Sequence, residues 1–199
     1  MAQPTGRFRD KRYVNPVLSV DLMDRIYQTS EWTDTGFLAH DVDKTLPLDI
    51  EFHGVFTFDG RTGFGMFKGK VTRVDEESFY RGVSMTWINE SGRKLIETMV
   101  AVRTSLPPNQ APVMRVTLTY PTVNWSLSGM LVGECPHVYE DGSLIRGMIR
   151  GEHSNGAGMF QARVVKFNND KQILALAFTQ LSDQLFDMLE GAIKKFVQG

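Results

Sequence analysis

Two short patterns recur in this chain at one spacing, and that recurrence limits what it can fold into. Asn124-Trp125-Ser126-Leu127-Ser128-Gly129, followed by Met130-Leu131-Val132, has a forerunner in Glu31-Trp32-Thr33-Asp34-Thr35-Gly36, followed by Phe37-Leu38-Ala39. The glycines that close the two turns lie 93 positions apart (129 − 36), and Gly65-Met66-Phe67 returns at the same distance as Gly158-Met159-Phe160. So long a period is not that of a solenoid and implies two copies of one unit of roughly ninety residues. A domain of that size buries a modest core, so packing of one half on the other is expected.

Composition narrows the class. The 199 residues are 42% apolar and 23% charged, ordinary values for a globular protein. A net charge of −1 provides no global field to attract a nucleic acid polymer. The local exception is Arg7-Phe8-Arg9-Asp10-Lys11-Arg12 near the amino terminus. A lone Cys135 excludes an internal disulfide framework and suits a reducing compartment. No apolar run approaches the roughly 20 residues that span a bilayer. The first residues lack the apolar segment of a signal peptide. The expectation is a cytoplasmic protein without membrane insertion.

Residues 1–15 read as a flexible basic arm, 16–103 as a first barrel plus helix, and 104–199 as a second. Alternation over Leu18–Leu22, Leu48–Phe52 and Val83–Ile88 predicts half-buried strands. Val55–Phe58 before Asp59-Gly60 predicts a hairpin whose returning strand is Gly65–Val74. Gly36 is expected to supply a positive φ in the first turn. Ser91 is the expected cap of a helix carrying Leu95, Ile96, Met99 and Val100, and Thr104 to Gln110, with two prolines, marks the boundary. In the second half, strands are expected over Val113–Leu118, Met130–Val132, Leu144–Ile149 and Phe160–Phe167, with a turn at Ser154-Asn155-Gly156. The wholly apolar Ile173–Phe178 is expected to lie deepest. Ser182 is the expected cap of a terminal helix with the face Leu185, Phe186, Leu189, Ile193 and Phe196. Many short strands with Gly-rich turns, each set ended by one helix, predict a mainly β fold of two small antiparallel barrels in tandem.

A basic arm, a strand, an Asp/Asn-x-Ser-x-x-Gly turn, a small barrel and a terminal helix together resemble the PilZ domain, twice over nearly the whole chain. The resemblance implies a bacterial regulator that binds cyclic di-GMP and relays it to a protein partner. It also implies a ligand site made of an Arg-x-x-x-Arg pair on the arm and the turn on the barrel face. Arg forks bind phosphate bidentately and stack on guanine. An amide or carboxylate reads the guanine edge, a Ser hydroxyl donates a hydrogen bond, and Gly lets the backbone approach. On this chain the matching positions are Arg9 and Arg12 on the arm, Glu31, Thr33 and Gly36 in the first turn, and Arg103 before the second strand set. Asn124, Ser126 and Gly129 match in the second turn. Neither copy is complete: the arm reads Arg9-x-x-Arg12, Lys11 stands four after Arg7, and Met99 stands four before Arg103.

Plainer readings stand beside these. The basic cluster is otherwise a solvated tail. Asn124 and Ser126 otherwise bond their own turn. Arg103 otherwise favours a helix C-terminus. Trp32 and Trp125, at matching places, suggest a shared packing role. Gly60 to Gly65 lacks the Lys-Ser/Thr ending of a phosphate loop. Cys135 and His137 have no second pair at metal-site spacing, and His40, His53 and His153 are scattered. Asp41, Asp43, Asp49 and Glu51 form no evident acid/base pair. No catalytic constellation, metal site or cofactor is indicated, so a non-enzymatic role is expected. The apolar face of the terminal helix suits a core or a homo-oligomer contact. Two functions remain in view: a cyclic di-GMP receptor, and an interaction module that binds no nucleotide.

Overall fold

The computed structural model describes residues 11–40, 46–75, 77–107, 110–151 and 156–198. Ten strands and two helices follow in the order β1 (Leu18–Trp32), β2 (Gly36–Ala39), β3 (Glu51–Phe58), β4 (Gly65–Asp75), β5 (Tyr80–Ile88), α1 (Glu90–Ser105), β6 (Met114–Trp125), β7 (Gly129–Val132), β8 (Leu144–Gly151), β9 (Ala157–Asn168), β10 (Ile173–Leu181) and α2 (Asp183–Gln198). Hydrogen-bonded strand neighbours follow the order β1-β2-β5-β4-β3-β6-β7-β10-β9-β8. An added β1–β6 pairing closes the six-strand circuit β1-β2-β5-β4-β3-β6. The fold is therefore mainly β, as the alternation implied. Both bounds of β2, β3, β5 and α1 recur 93 positions later in β7, β8, β10 and α2.

The chain divides into two compact units, Asp21–Tyr120 and Met1–Val20 with Pro121–Gly199. The division falls inside β1 and inside β6, not at the Pro-rich stretch near 104 where sequence composition changes.

In the unit Asp21–Tyr120, Phe56, Phe58, Phe67, Val71, Met114 and Val116 are buried. Phe37, Phe52 and Phe56 surround Phe67 with centroid distances of 5.5, 5.8 and 6.2 Å. Phe37 and Phe52 meet Phe67 edge to face, which adds to the area they remove from water. The strand expected over Leu48–Phe52 begins instead at Glu51, because Leu48 and Asp49 form a turn in which Asp49 has φ 67. The cap of α1 is Asn89, not Ser91. Its Oδ1 accepts from Gly92 N at 3.0 Å and from Met66 N at 2.9 Å, so one amide both starts the helix and ties it to β4. The helix runs through Thr104 and Ser105, further than expected, and stops at Leu106, whose extended backbone (φ −110, ψ 153) precedes Pro107.

In the other unit, Leu18, Val20, Val132, Ile149, Val164 and Leu174 are buried. Ser182 serves as expected and in the same dual manner: its Oγ accepts from Leu185 N at 3.3 Å and from Met159 N at 3.1 Å. Leu185 and Leu189 of α2 are fully buried, which contributes about 1.5–3 kcal/mol each. Phe186 is half exposed, so the core face is narrower than the apolar stripe suggested, and the side chain of Phe196 lies outside the described residues. The run from Ile173 is not buried throughout: Leu174 and Leu176 face the core while Ile173, Ala175, Ala177 and Phe178 are partly exposed. That is the pattern of a one-sided strand. The turn expected at Ser154 and Asn155 lies outside the described residues.

Candidate functional site

The arm and the second turn meet in one unit. Trp125, the last residue of β6, exchanges both backbone hydrogen bonds with Tyr13: Tyr13 N donates to Trp125 O at 2.8 Å, and Trp125 N to Tyr13 O at 2.9 Å. The two rings lie 5.2 Å apart, and the indole N–H donates to Pro16 O at 2.9 Å. Tyr13 and Trp125 are both buried, so this joint fixes where the flanking side chains point. Arg12 Nη1 donates to Asn124 Oδ1 at 3.5 Å, and Lys11 Nζ lies 5.6 Å from the Tyr13 ring centre. Arg12, which is exposed, thus meets the half-buried Asn124 amide at the second turn. Arg7 and Arg9 lie outside the described residues.

The other residues of this turn face inward. Ser126 is 1% exposed. Its backbone N donates to Gly129 O at 2.8 Å, and its hydroxyl lies 3.3 Å from the same oxygen and accepts from Ser128 N at 3.2 Å. The hydroxyl of Ser128, 3.1 Å from that of Ser126, is the one on an exposed residue. Gly129 is needed for closeness: a Cβ there would collide with Leu176 O of β10.

The first turn has the same skeleton with different occupants. Thr33 N donates to Gly36 O at 2.7 Å, and Thr33 Oγ1 accepts from Thr35 N at 3.2 Å and Gly36 N at 3.1 Å. Gly36 does not adopt the expected positive φ; it sits where a Cβ would strike Val83 O of β5. The Trp32 indole donates to Pro112 O at 2.8 Å, matching the bond from Trp125 to Pro16. Arg103, from the last turn of α1, lies 5.4 Å over the Trp32 ring and donates to Trp32 O at 2.8 Å. Glu31 is exposed at the end of β1. Arg103 therefore joins the first turn, while Arg12 and Asn124 join each other at the second. Sequence reading placed the arm with the first copy. It had no signal for the pairing with Trp125, because one antiparallel bridge leaves no periodic trace.

Elsewhere, Asp49 and Glu51 pair with Lys70 at 2.8 Å and Lys68 at 2.6 Å. The Lys68 hydrogen bond holds the Glu51 carboxyl below its ordinary value, and the Asp49 hydrogen bond raises Lys70. Cys135 is buried, with Sγ 3.9 Å from His137 O. The His40 ring lies tilted against that of Tyr80, 4.5 Å between centres. Asp41, Asp43 and His153 lie outside the described residues. Among the described residues no group of His, Cys, Asp and Glu is placed to hold a metal, and no helix is long and apolar enough to cross a membrane.

No family model matches the chain, and no curated protein matches it. Among solved structures, that of the Bacillus subtilis inhibitor of motility MotI/DgrA aligns over 92% of this chain and 96% of its own, at 11% identity and a TM-score of 0.36. A likeness that loose carries no argument about fold or function.

Proposed function

We propose that the chain is a tandem PilZ-like regulatory protein that binds cyclic di-GMP at the second turn and passes the change to a protein partner in the cytoplasm, without being an enzyme. The tandem reading draws support from the element bounds that recur at a displacement of 93. The observation that carries the ligand reading is the convergence of Arg12 and Asn124 beside the Tyr13–Trp125 joint. A guanidinium fork for phosphate or a guanine face, and an amide for a base edge, then stand on one exposed surface. Ser128 Oγ, rather than Ser126, is the hydroxyl available there. Arg103 lies over Trp32 and is bonded to its carbonyl, so the guanidinium at the first turn is already engaged and the expected stoichiometry is one ligand per chain.

Calorimetric titration with cyclic di-GMP, with GTP as control, tests this reading. Selective binding at about micromolar Kd or tighter is expected, lost when Arg9 and Arg12 are both changed to Ala. No heat, together with an unshifted melting temperature at high ligand, would overturn it.

One observation favours the second reading, an interaction module without nucleotide. Ser126, the turn hydroxyl of the family pattern, is buried and bonded within its own turn. A silent titration would select that reading.

A further inference from the structure

A trench follows one side of α1 in the unit Asp21–Tyr120. Two adjoining hollows make it, about 330 Å³ against residues 85–88 of β5 and about 670 Å³ between residues 32–34 and the C-terminal half of α1. Asp34, Ile96 and Glu97 line both, so they form the shared wall. The floor is apolar, from Ile96 and Val100, with Trp32 buried beside them under Arg103, and Trp87 at the far end is 47% exposed.

Two independent features say what the trench fits. The first is charge. Asp34 and Glu97 make no salt bridge among the described residues. The two arginines on the trench are turned to backbone: Arg93 Nε donates to Ile88 O at 3.1 Å, and Arg103 Nη1 to Trp32 O. Both keep their charge, but Arg93 lines only the first hollow and Arg103 only the second, whereas Asp34 and Glu97 line both, so the carboxylates stand at the centre of the trench with one guanidinium towards each end. The second is an open strand edge. β2 covers β5 only from Arg81 to Ser84, and Met85 N donates to Thr35 O at 2.8 Å. Beyond that point Trp87 and Ile88 pair with Lys68 and Phe67 of β4, and residues 86–88 have no described strand partner on the β2 side, although Ile88 O is already taken by Arg93 Nε. An unpaired edge is a template for an added strand.

The other unit lacks this combination at the positions displaced by 93. Leu127 stands for Asp34, Gln180 for Trp87, and Glu190, which stands for Glu97, is paired with Lys194 at 2.7 Å. The acidic, tryptophan-ended trench is thus a feature of one half and not of the fold.

We propose that this trench docks an extended segment of a partner protein that carries a lysine or arginine between apolar residues. The basic side chain sits between Asp34 and Glu97, its neighbours cover Ile96 and Trp87, and its backbone adds to the edge of β5. From Arg93 to Thr104 the helix runs roughly 16 Å at its usual rise, the reach of about five extended residues. The proposal does not depend on nucleotide binding at the second turn.

The test selects a displayed random peptide library on the full chain, then measures a synthesised winner. Enrichment of sequences with a basic residue flanked by apolar ones is expected. Their affinity should fall at least about tenfold in Asp34→Lys/Glu97→Lys and in Trp87→Ala, and stay unchanged in Arg12→Ala. Amide exchange at residues 86–88 should slow on binding. All three trench residues are exposed, and matching melting curves establish that the variants fold. No enrichment, enrichment without a basic residue, or binding indifferent to both trench variants would overturn the proposal. Self-association of the chain abolished by Asp34→Lys would also overturn it, by assigning the trench to a second copy. Because Arg12→Ala is read separately, failure of the cyclic di-GMP reading would leave this result standing.

Discussion

Tyr13 and Trp125 are joined by a pair of backbone hydrogen bonds of 2.8 and 2.9 Å, with their rings 5.2 Å apart. This joint fastens the arm, from its described start at Lys11, to the end of β6. Trp125 is 1% exposed, and its indole N–H is bonded to Pro16 O. Trp125→Ala removes the ring and leaves a cavity, so a loss of about 3–5 kcal/mol is expected. Trp125→Phe keeps most of the packing but gives up the Pro16 bond, for about 1 kcal/mol. Urea unfolding followed by far-UV circular dichroism checks both. Equal stability of Trp125→Ala and the parent would mean that the joint does not hold the arm.

Gly36 and Gly129 occupy equivalent crossings, each pressed against a carbonyl oxygen of the neighbouring strand, Val83 O and Leu176 O. A methyl group at either must push β2 off β5 or β7 off β10. Gly36→Ala and Gly129→Ala are each expected to cost about 1–3 kcal/mol by overpacking. Gly191→Ala meets no atom within 4 Å on α2 and is expected to be neutral or slightly stabilising, because Ala is the better helix former. Parallel thermal melts of the three variants separate a steric requirement at the crossings from a general intolerance of change.

How much of this was legible in the chain depends on the range of the interaction. Local patterns served well: the hairpin signal before β4, the alternation that marks β5, the Ser182 cap, and the glycines at a common spacing. Errors arose where a tertiary partner decided between neighbours. Asn89 caps α1 in place of Ser91 because its amide also reaches Met66 N of β4. The stretch after Ile173 is apolar on both faces, yet only Leu174 and Leu176 point to the core. At the candidate site, the sequence supplied Arg12 and Asn124 but not their meeting, which rests on a bridge between Tyr13 and Trp125 with no local signature. The inward turn of the Ser126 hydroxyl was equally hidden, because a serine that binds ligand and one that closes its own turn share the same pattern.

Asp59 and Arg115 connect the end of β3 to the start of β6 on the protein surface. Arg115 donates to both carboxylate oxygens, to Oδ2 at 2.9 Å and to Oδ1. That hydrogen bond holds the Asp59 carboxyl below its ordinary 3.8 and raises Arg115. A depressed carboxyl stabilises the fold above its unfolded value and loses that contribution as pH falls through the folded one. Asp59→Asn should therefore lower the melting temperature at neutral pH, and the deficit should shrink below pH 3.8. Both side chains are more than a third exposed, 38% and 47%, so solvent and salt screen the pair and the effect is small. A deficit that persists unchanged in acid would assign it to packing instead.

Arg103 does at the first turn what a ligand's cation-seeking groups would otherwise require of a free guanidinium: it is already engaged. Its fork lies over the Trp32 ring and one nitrogen is bonded to Trp32 O, both within the unit Asp21–Tyr120. Freeing it for a phosphate would forfeit a charge-assisted hydrogen bond and a stacking contact, together about 2 kcal/mol. Arg103→Ala is thus expected to destabilise the protein by about that amount and, on the receptor reading proposed above, to leave cyclic di-GMP affinity and stoichiometry unchanged. Arg103→Lys should recover only part of the stability, because an ammonium lacks the planar fork. Denaturant unfolding and calorimetric titration of the same two variants read the outcome. A drop in ligand affinity with intact stability would place Arg103 in a binding site and reopen the first turn.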